Sequence, residues 1–443
     1  MRKDVVCFLE SLILTLALNF PCLSQQNPPQ HISTFDRDRA TSMLEVVASD
    51  VKKHYYDPKF HGLDWDARVR EAKQKIETSA GLNEAFTHIA GALDTLNDSH
   101  TFFTPPPRPY KHDYGFQIQI VGDRCFVTRV RPQSDGESKE LKPGDEVLAV
   151  NGYAPNRDNL WKMQYVYDVL RPQTALRLDL RSSSGSQLQL NITAKMRDTA
   201  HVKDLTNNNN DFSQLIRNSE DSYQLTRHQT VEVGDLMILK VPVFFFSDLE
   251  ASEMLGKARK HSKALIIDLR SNPGGAIDSL KALLGVMFEN DIKIGERVQR
   301  DGSRPLVAKS HHSPFSGKIV VLVDSKSASA SELLARIVQI EKRGMVIGDH
   351  SAGAVMEAKR YSYRSGVGAV TFFGASITDA DLVMTDGKSL EHTGVTPDEI
   401  IVPTAADLAS GRDPVMSRAA EILGFKITAD DAGRFFPYQW PKE

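Results

Sequence analysis

Four short stretches of the chain carry residues able to do acyl-transfer chemistry. The first is Lys326-Ser327-Ala328-Ser329-Ala330-Ser331-Glu332, which follows the apolar run 319–323 and precedes the helical pattern 333–338. That order predicts a turn from a buried strand into a helix N-terminus, where backbone N–H groups lack intrahelical partners and carry partial positive charge. Ser329 there is a candidate nucleophile, with donors beside it for a developing oxyanion. The plainer reading is a cap of small residues. The second stretch, Asp268-Leu269-Arg270-Ser271-Asn272-Pro273-Gly274-Gly275, leaves another apolar run through paired glycines, which let a backbone approach a ligand closely. An N–H of Gly274 or Gly275, with that of Ala330, would form an oxyanion hole; an ordinary strand-to-helix turn would read the same way. The third stretch, Asp98-Ser99-His100-Thr101, offers a histidine as general base, although a lone histidine at a domain edge also serves structure. The fourth, 390–398, holds Glu391, which either orients the base, fixes substrate or is a solvated loop carboxylate.

The surrounding patterns say what must position these residues. From 35 to 96 the chain is helical: Ala40, Met43, Leu44, Val47 and Val51 recur at helical spacing, and 65–76 and 83–96 read as two further helices, the last capped by Asn83. The prolines at 105–107 end this N-terminal helical domain, 35–105. The next unit, 110–197, is rich in short strands, with apolar-polar alternation at 116–120, 176–180 and 188–192. Between these lies Leu141-Lys142-Pro143-Gly144-Asp145-Glu146-Val147-Leu148-Ala149-Val150-Asn151-Gly152, a Pro-Gly turn feeding a strand that ends at Asn-Gly, as in hairpins. The polar segment 198–230, with asparagines at 207–210, is a linker with room for one helical turn. Strands at 236–241, 264–269 and 319–323 then alternate with helices at 247–261, 277–288 and 331–339. That alternation predicts an α/β layered core over 231–405, and 406–443 reads as a closing helical tail.

The 443 residues, 41% hydrophobic and 25% charged, suit a globular chain of roughly two or three domains. A net charge of −3 argues against nucleic acid or an anionic membrane surface as the main partner. At the start, Arg2 and Lys3, the apolar stretch 5–20 and small Ser24 spell a secretion signal over 1–24, with a polar linker at 25–34. The apolar run is short for a membrane span, so the mature chain is expected to be exported, periplasmic or extracellular, without a stable membrane span. Of the three cysteines, Cys7 and Cys22 fall within the signal, and Cys125 sits in an apolar run as a core residue. One cysteine forms no internal disulfide, so the core must supply the stability. No histidine, carboxylate or cysteine group has metal-ligand spacing, so neither metal nor cofactor is expected.

The string 141–152 resembles the signature of PDZ domains. That resemblance implies binding of an extended C-terminal peptide by strand addition, with the carboxylate-binding loop at Tyr114, Gly115 and Phe116. The Ser-Ala-Ser-Ala-Ser-Glu turn, the Asp-Leu-Arg-Ser-Asn-Pro-Gly-Gly strand end and the Gly-Val-Thr-Pro-Asp ending together resemble the C-terminal processing peptidases, or tail-specific proteases. The resemblance implies an α/β fold: a ClpP/crotonase-like protease core with an embedded PDZ domain and an N-terminal helical domain. It places the nucleophile at Ser329, not Ser327 or Ser331.

One position departs from the best-known branch, whose base is a lysine in a glycine-flanked turn after the nucleophile's helix. The matching turn is Gly348-Asp349-His350-Ser351-Ala352-Gly353-Ala354-Val355, with Ala354 at the lysine position and Lys359 out of register. The tricorn-core-like branch instead draws a histidine from an upstream Ser-His pair, which Ser99-His100 matches, and a carboxylate before a Gly-Val-x-Pro-Asp ending, which points to Glu391. A tetrad of Ser329, His100, Ser99 and Glu391 follows from that resemblance, with His350 as the alternative base. The expected function is serine endopeptidase action on polypeptides, through their C-termini. The rival is a non-catalytic peptide- or ligand-binding protein on the same fold, in which Ser329 is a helix cap.

Overall fold

In the centre of the molecule a six-stranded sheet is built from strands that are almost wholly apolar. Its order is Glu399–Ile400, Met345–Gly348, Lys318–Val323, Ala264–Asp268, Leu236–Lys240 and Gln229–Val233, parallel throughout except for the last pair. The computed structural model describes residues 32–198, 226–311, 313–366 and 371–441. The expected signal at 1–24, residues 25–31 of the linker expected at 25–34 and the asparagine run at 207–210 lie outside the described residues. The strand Gln229–Val233 adds an edge to the core, so the core starts just before the linker boundary expected at residue 230.

Continuous apolar runs are the mark of parallel strands covered on both faces, and here the two faces separate by alternation. Leu265, Ile267, Ile319, Val321 and Val323 pack with residues of the helices Asp248–His261, Ile277–Met287 and Ala330–Ile340. Ala264, Ile266, Val320 and Leu322 pack instead under the C-terminal helix Pro414–Ile422. The helical tail contains more than one helix: Ala405–Ser410 ends at Gly411, in left-handed conformation, and Asp413 caps the next helix. Past the short helix Ala429–Ala432, residues 437–441 belong to no helix or strand.

A second, five-stranded antiparallel sheet follows the order Phe102–Thr104, Thr371–Met384, Ile292–Gln299, Gly302–Ala308, with Met356–Ser365 paired to the long Thr371–Met384 strand. Alternation of strands and helices in the sequence does not announce this sheet. Its edge strand Phe102–Thr104 comes directly after the N-terminal helices Thr34–His54, Trp65–Glu77 and Leu82–Asp94. The last of these helices is capped by Gly81, not Asn83, whose side-chain oxygen accepts from Arg108 instead. Ala40, Met43, Leu44, Val47 and Val51 are all buried, as their spacing predicts, in a core shared with Phe373, Ala375 and Ile377 of the long strand.

The strand-rich unit is an antiparallel sheet in sequence order: Phe116–Val121, Arg124–Val130, Glu146–Val150, Ala175–Arg181 and Gln187–Thr193. The helix Leu160–Gln164, continued as a π-helix over Tyr165–Leu170, lies between the third and fourth strands in sequence. Asn151 and Gly152 both take positive φ at the tight turn, as Asn-Gly chemistry requires. The chain enters and leaves this unit through paired strands Tyr110–Asp113 and Lys195–Asp198. Cys125 is buried, and burial pushes its thiol up to about 12. No described helix is long and apolar enough to cross a membrane.

Candidate active site

Ser329 is the N-cap of the helix Ala330–Ile340, with φ 55° and ψ −118°. A non-glycine residue in that region is strained and must be held by its surroundings. Three neighbours do so. The Ser329 N–H donates to Ala354 O at 2.9 Å and to Glu332 Oε2 at 2.9 Å. Gly274 presses from the other side: a Cβ there would stand 2.6 Å from Ser329 Cβ. The flanking serines are occupied elsewhere. Ser327 and Ser331 are 0% exposed, and their hydroxyls donate to Leu269 O at 2.8 Å and Asn272 O at 3.1 Å. Only Ser329, of these three, is partly exposed.

Glu332 is the site residue whose part the sequence reading did not single out. It is fully buried and accepts four hydrogen bonds, from Ser351 Oγ and the N–H groups of Gly353, Ala354 and Ser329. Burial pushes its carboxyl up to about 7 against these donors. The bonds tie the nucleophile's turn to the turn holding Ala354. The signal for it was present, because Ser329-x-x-Glu332 is capping-box spacing.

The glycine pair divides its work. The Gly274 N–H donates to Asn272 Oδ1 at 2.8 Å, and Asn272 Nδ2 donates to Val241 O at 2.7 Å. Phe244 N–H donates to Gly274 O at 2.8 Å, and Ala276 N–H to Phe244 O at 2.7 Å. The N–H groups of Gly275 and Ala330 have no hydrogen-bond partner among the described residues. Of the two glycines expected for an oxyanion hole, Gly274 therefore has its donor engaged and Gly275 has it open.

His100 is brought to this core by the edge strand Phe102–Thr104. Asp98 Oδ1 accepts from His100 N–H at 2.9 Å, Thr101 N–H at 2.7 Å and Thr378 Oγ1 at 2.7 Å, pinning the turn to the long strand. His100 Nδ1 lies 2.7 Å from Ser99 Oγ, and Ser99 Oγ donates to Glu391 Oε2 at 2.9 Å. Because that hydroxyl proton goes to the carboxylate, Nδ1 must be the donor to Ser99 Oγ, and Nε2 carries the lone pair. Glu391 is fixed further by Ser99 N–H at 2.7 Å and Val355 N–H at 2.8 Å. Hydrogen bonds thus connect three residues of the expected tetrad, His100, Ser99 and Glu391, and Glu391 holds Val355, the neighbour of the Ala354 whose carbonyl accepts from Ser329 N–H. No hydrogen bond joins Ser329 Oγ to His100 among the described residues. Burial lowers the His100 pKa, with the Asp98 charge opposing it, and burial raises that of Glu391.

The remaining candidates have contacts of their own. His350 is held through its backbone, its N–H on Asp349 Oδ1 at 2.8 Å and its carbonyl accepting from Arg157 at 3.1 Å. Lys359 lies on the Met356–Ser365 strand and pairs with Asp379 at 2.8 Å, its side chain 65% exposed. Tyr114, Gly115 and Phe116 stand at the start of the Phe116–Val121 strand, Gly115 with φ 71°. No group of three or more His, Cys, Asp or Glu among the described residues is placed to hold a metal ion.

Residues 235–401 match peptidase family S41. S41 peptidases are serine-type hydrolases, and the strained, partly exposed Ser329 sits inside the matched segment. The chain is 24% identical to the tail-specific protease of Haemophilus influenzae over 246 residues, 54% of this chain and 33% of that protein. It is 22% identical to the carboxy-terminal processing protease CtpA of Bacillus subtilis over 400 residues, 87% of this chain and 73% of that protein. The carboxyl-terminal-processing protease of Picosynechococcus is 22% identical over 90% of this chain and 91% of its own length. The chain thus spans about a third of the Haemophilus protein but most of the other two. Among solved structures, mature CPAF complexed with lactacystin superposes with a TM-score of 0.62, at 16% identity over 85% of this chain and 96% of that one. The photosystem II D1 C-terminal processing protease gives 0.50, at 17% identity over 82% and 93%. These structural likenesses establish the fold: an α/β core with a helical N-terminal region.

Proposed function

We propose that this S41 chain is a serine endopeptidase of the carboxy-terminal processing type, acting on exported polypeptides with Ser329 as nucleophile and His100 as general base. The observation that carries this reading is the relay His100–Ser99–Glu391, with donor–acceptor distances of 2.7 and 2.9 Å, which leaves His100 Nε2 as a proton acceptor. Nε2 takes the Ser329 hydroxyl proton as Oγ bonds to the scissile carbonyl carbon. The oxyanion of the tetrahedral intermediate is met by the N–H groups of Gly275 and Ala330. His100 returns the proton to the leaving amine, and water, deprotonated by the same nitrogen, releases the acyl group from Ser329. Ser99 and Glu391 hold the imidazole in its tautomer and stabilise the imidazolium without taking its proton.

The strand-rich unit is read as a PDZ domain. Its antiparallel sheet, the helix running over 160–170 and the Gly115 loop supply the strand edge and groove that bind an extended peptide. Labelling of the folded chain by a fluorophosphonate probe tests the catalytic reading. Ser329 should be modified, and Ser329→Ala should not label. Absence of labelling in the folded wild-type chain would favour a binding protein on this fold.

A further inference from the structure

Between the Phe116–Val121 strand and the helix over 160–170 lies a cavity of about 610 Å³. Phe116, Ile118, Leu160, Met163 and Tyr167 supply its apolar surface, and Asp168 and Arg131 stand among its polar lining. This is the groove that a PDZ-type unit would offer to a peptide. Tyr438, Trp440 and Pro441, from the far end of the chain, contribute to the same lining.

The contact is organised residue by residue. Arg129 stacks its guanidinium over the Tyr438 ring at 4.2 Å, and Arg131 does the same over Trp440 at 4.5 Å. Each pair is spaced by two residues, so in extended chain both arginines share one face and both aromatics share another. Gln117 Nε2 donates to Tyr438 Oη at 2.6 Å, while Gln117 Oε1 accepts from Arg129 at 2.9 Å. Arg131 also donates to Pro441 O at 3.1 Å and pairs with Asp113 at 3.1 Å. The tail reaches the groove from the opposite face of the core, where Phe435 and Phe436 pack against the buried cluster under the Pro414–Ile422 helix. That anchorage keeps the segment at high effective concentration beside the groove.

We propose that the groove rim recognises extended peptides with aromatic residues at alternate positions followed by proline, and that residues 438–441 are its resident occupant, displaced by an incoming peptide of that class. This rests on the peptide-binding reading of the strand-rich unit, not on the catalytic one. The rim also touches the nucleophile's turn. Lys326 lines the same cavity, and Gln119 Nε2 of the groove strand donates to Asp324 Oδ2 at 2.7 Å.

The test is fluorescence polarisation of a labelled synthetic peptide copying residues 434–443, titrated with the full chain carrying Ser329→Ala to prevent cleavage. In the background of Tyr438→Ala with Trp440→Ala, binding should tighten by about tenfold or more, because the resident competitor is gone. Adding Arg129→Ala and Arg131→Ala should abolish it. Equal affinity before and after removal of the two aromatics would overturn the resident-occupant claim alone. No binding to either chain would overturn the peptide-binding reading as well. Binding that survives loss of both arginines would place the peptide elsewhere and also overturn the proposal. Thermal transitions check that each chain is folded. Tyr438→Leu, which keeps apolar bulk but loses the stacking ring and hydroxyl, gives a second, milder reading and should tighten binding in the same direction. Fluorophosphonate labelling of chains retaining Ser329 reports the catalytic reading independently.

Discussion

Ser99 Oγ donates to Glu391 Oε2 at 2.9 Å across 292 residues of sequence. Ser99 precedes the strand Phe102–Thr104 and Glu391 follows the strand Thr371–Met384 that pairs with it, so the second sheet brings the two together. The bond fixes the His100 ring through a hydroxyl. Ser99→Ala and Glu391→Gln should each lower kcat/KM by about tenfold to a hundredfold, chiefly in kcat. His100→Ala should cost about a thousandfold or more, while His350→Ala should stay near wild type. Steady-state kinetics on an unstructured polypeptide would check the order; a larger loss for His350→Ala than for His100→Ala would reassign the base.

The three serines of the nucleophile turn should separate cleanly. Ser329→Ala should abolish labelling and turnover with the fold retained, because the backbone bonds from its N–H to Ala354 O and Glu332 Oε2 remain. Ser327→Ala should retain the nucleophile but lower stability by about 1–3 kcal/mol, since Leu269 O and Asp324 N–H both lose a buried partner. Thermal or denaturant unfolding alongside probe labelling distinguishes the two effects.

Glu332→Gln should be more damaging than its similar shape suggests. The carboxylate accepts from four donors, and an amide nitrogen cannot accept from the two that would face it. A stability loss of about 2–4 kcal/mol is expected, with loss of Ser329 labelling as the Ala354 turn separates from the nucleophile. Because burial raises the carboxyl from 4.5 to about 7, the folded chain keeps a proton that the unfolded chain releases. Wild-type stability should therefore fall as pH rises through that window, and the variant should lose this dependence.

His100 sets a pH dependence of the opposite sense. Burial lowers its pKa below the ordinary 6.5, so the base stays neutral into mildly acidic solution and the acid limb of kcat/KM should fall below about pH 6.5. In the unfolded chain the same histidine takes up its proton at about 6.5, so acidification below that value favours unfolding. His100→Gln should reduce this acid sensitivity in melting curves, whatever its effect on turnover.

Gly274→Ala should fail for a geometric reason. Its φ is +95°, and the added carbon would stand 2.6 Å from Ser329 Cβ and 2.8 Å from Ala328 O. Neither neighbour is a flexible side-chain end, so a drop in labelling rate of about a hundredfold or more is expected even where the chain remains folded. A variant labelling at the wild-type rate would show that the turn can shift without cost.

Local chemistry made much of this protein legible in its sequence. The apolar runs at 264–268 and 319–323 had to be buried strands, and the small residues around Ser329 had to turn into a helix, because backbone hydrogen bonding and burial act over a few residues. The same is true of the Asn151-Gly152 turn and of the helical face from Ala40 to Val51. The Gly81 cap and the antiparallel second sheet were not legible. Both were decided by partners distant in the chain: Asn83 is drawn to Arg108, and the Thr371–Met384 strand finds neighbours from 102–104 and 292–299.

The candidate site divides along the same line. Residue types and spacing raised Ser329, the glycine pair, His100 and Glu391 as candidates, and the family resemblance added Ser99 and implied a role for each. Tertiary structure alone engaged Gly274 and left Gly275 open, buried Ser327 and Ser331, gave Glu332 its four donors, and brought residues 438–441 to the Arg129 and Arg131 rim. The physical reason is reach. A turn is specified by the residues within it, whereas a hydrogen bond between Ser99 and Glu391 depends on the pairing of two strands far apart in the chain.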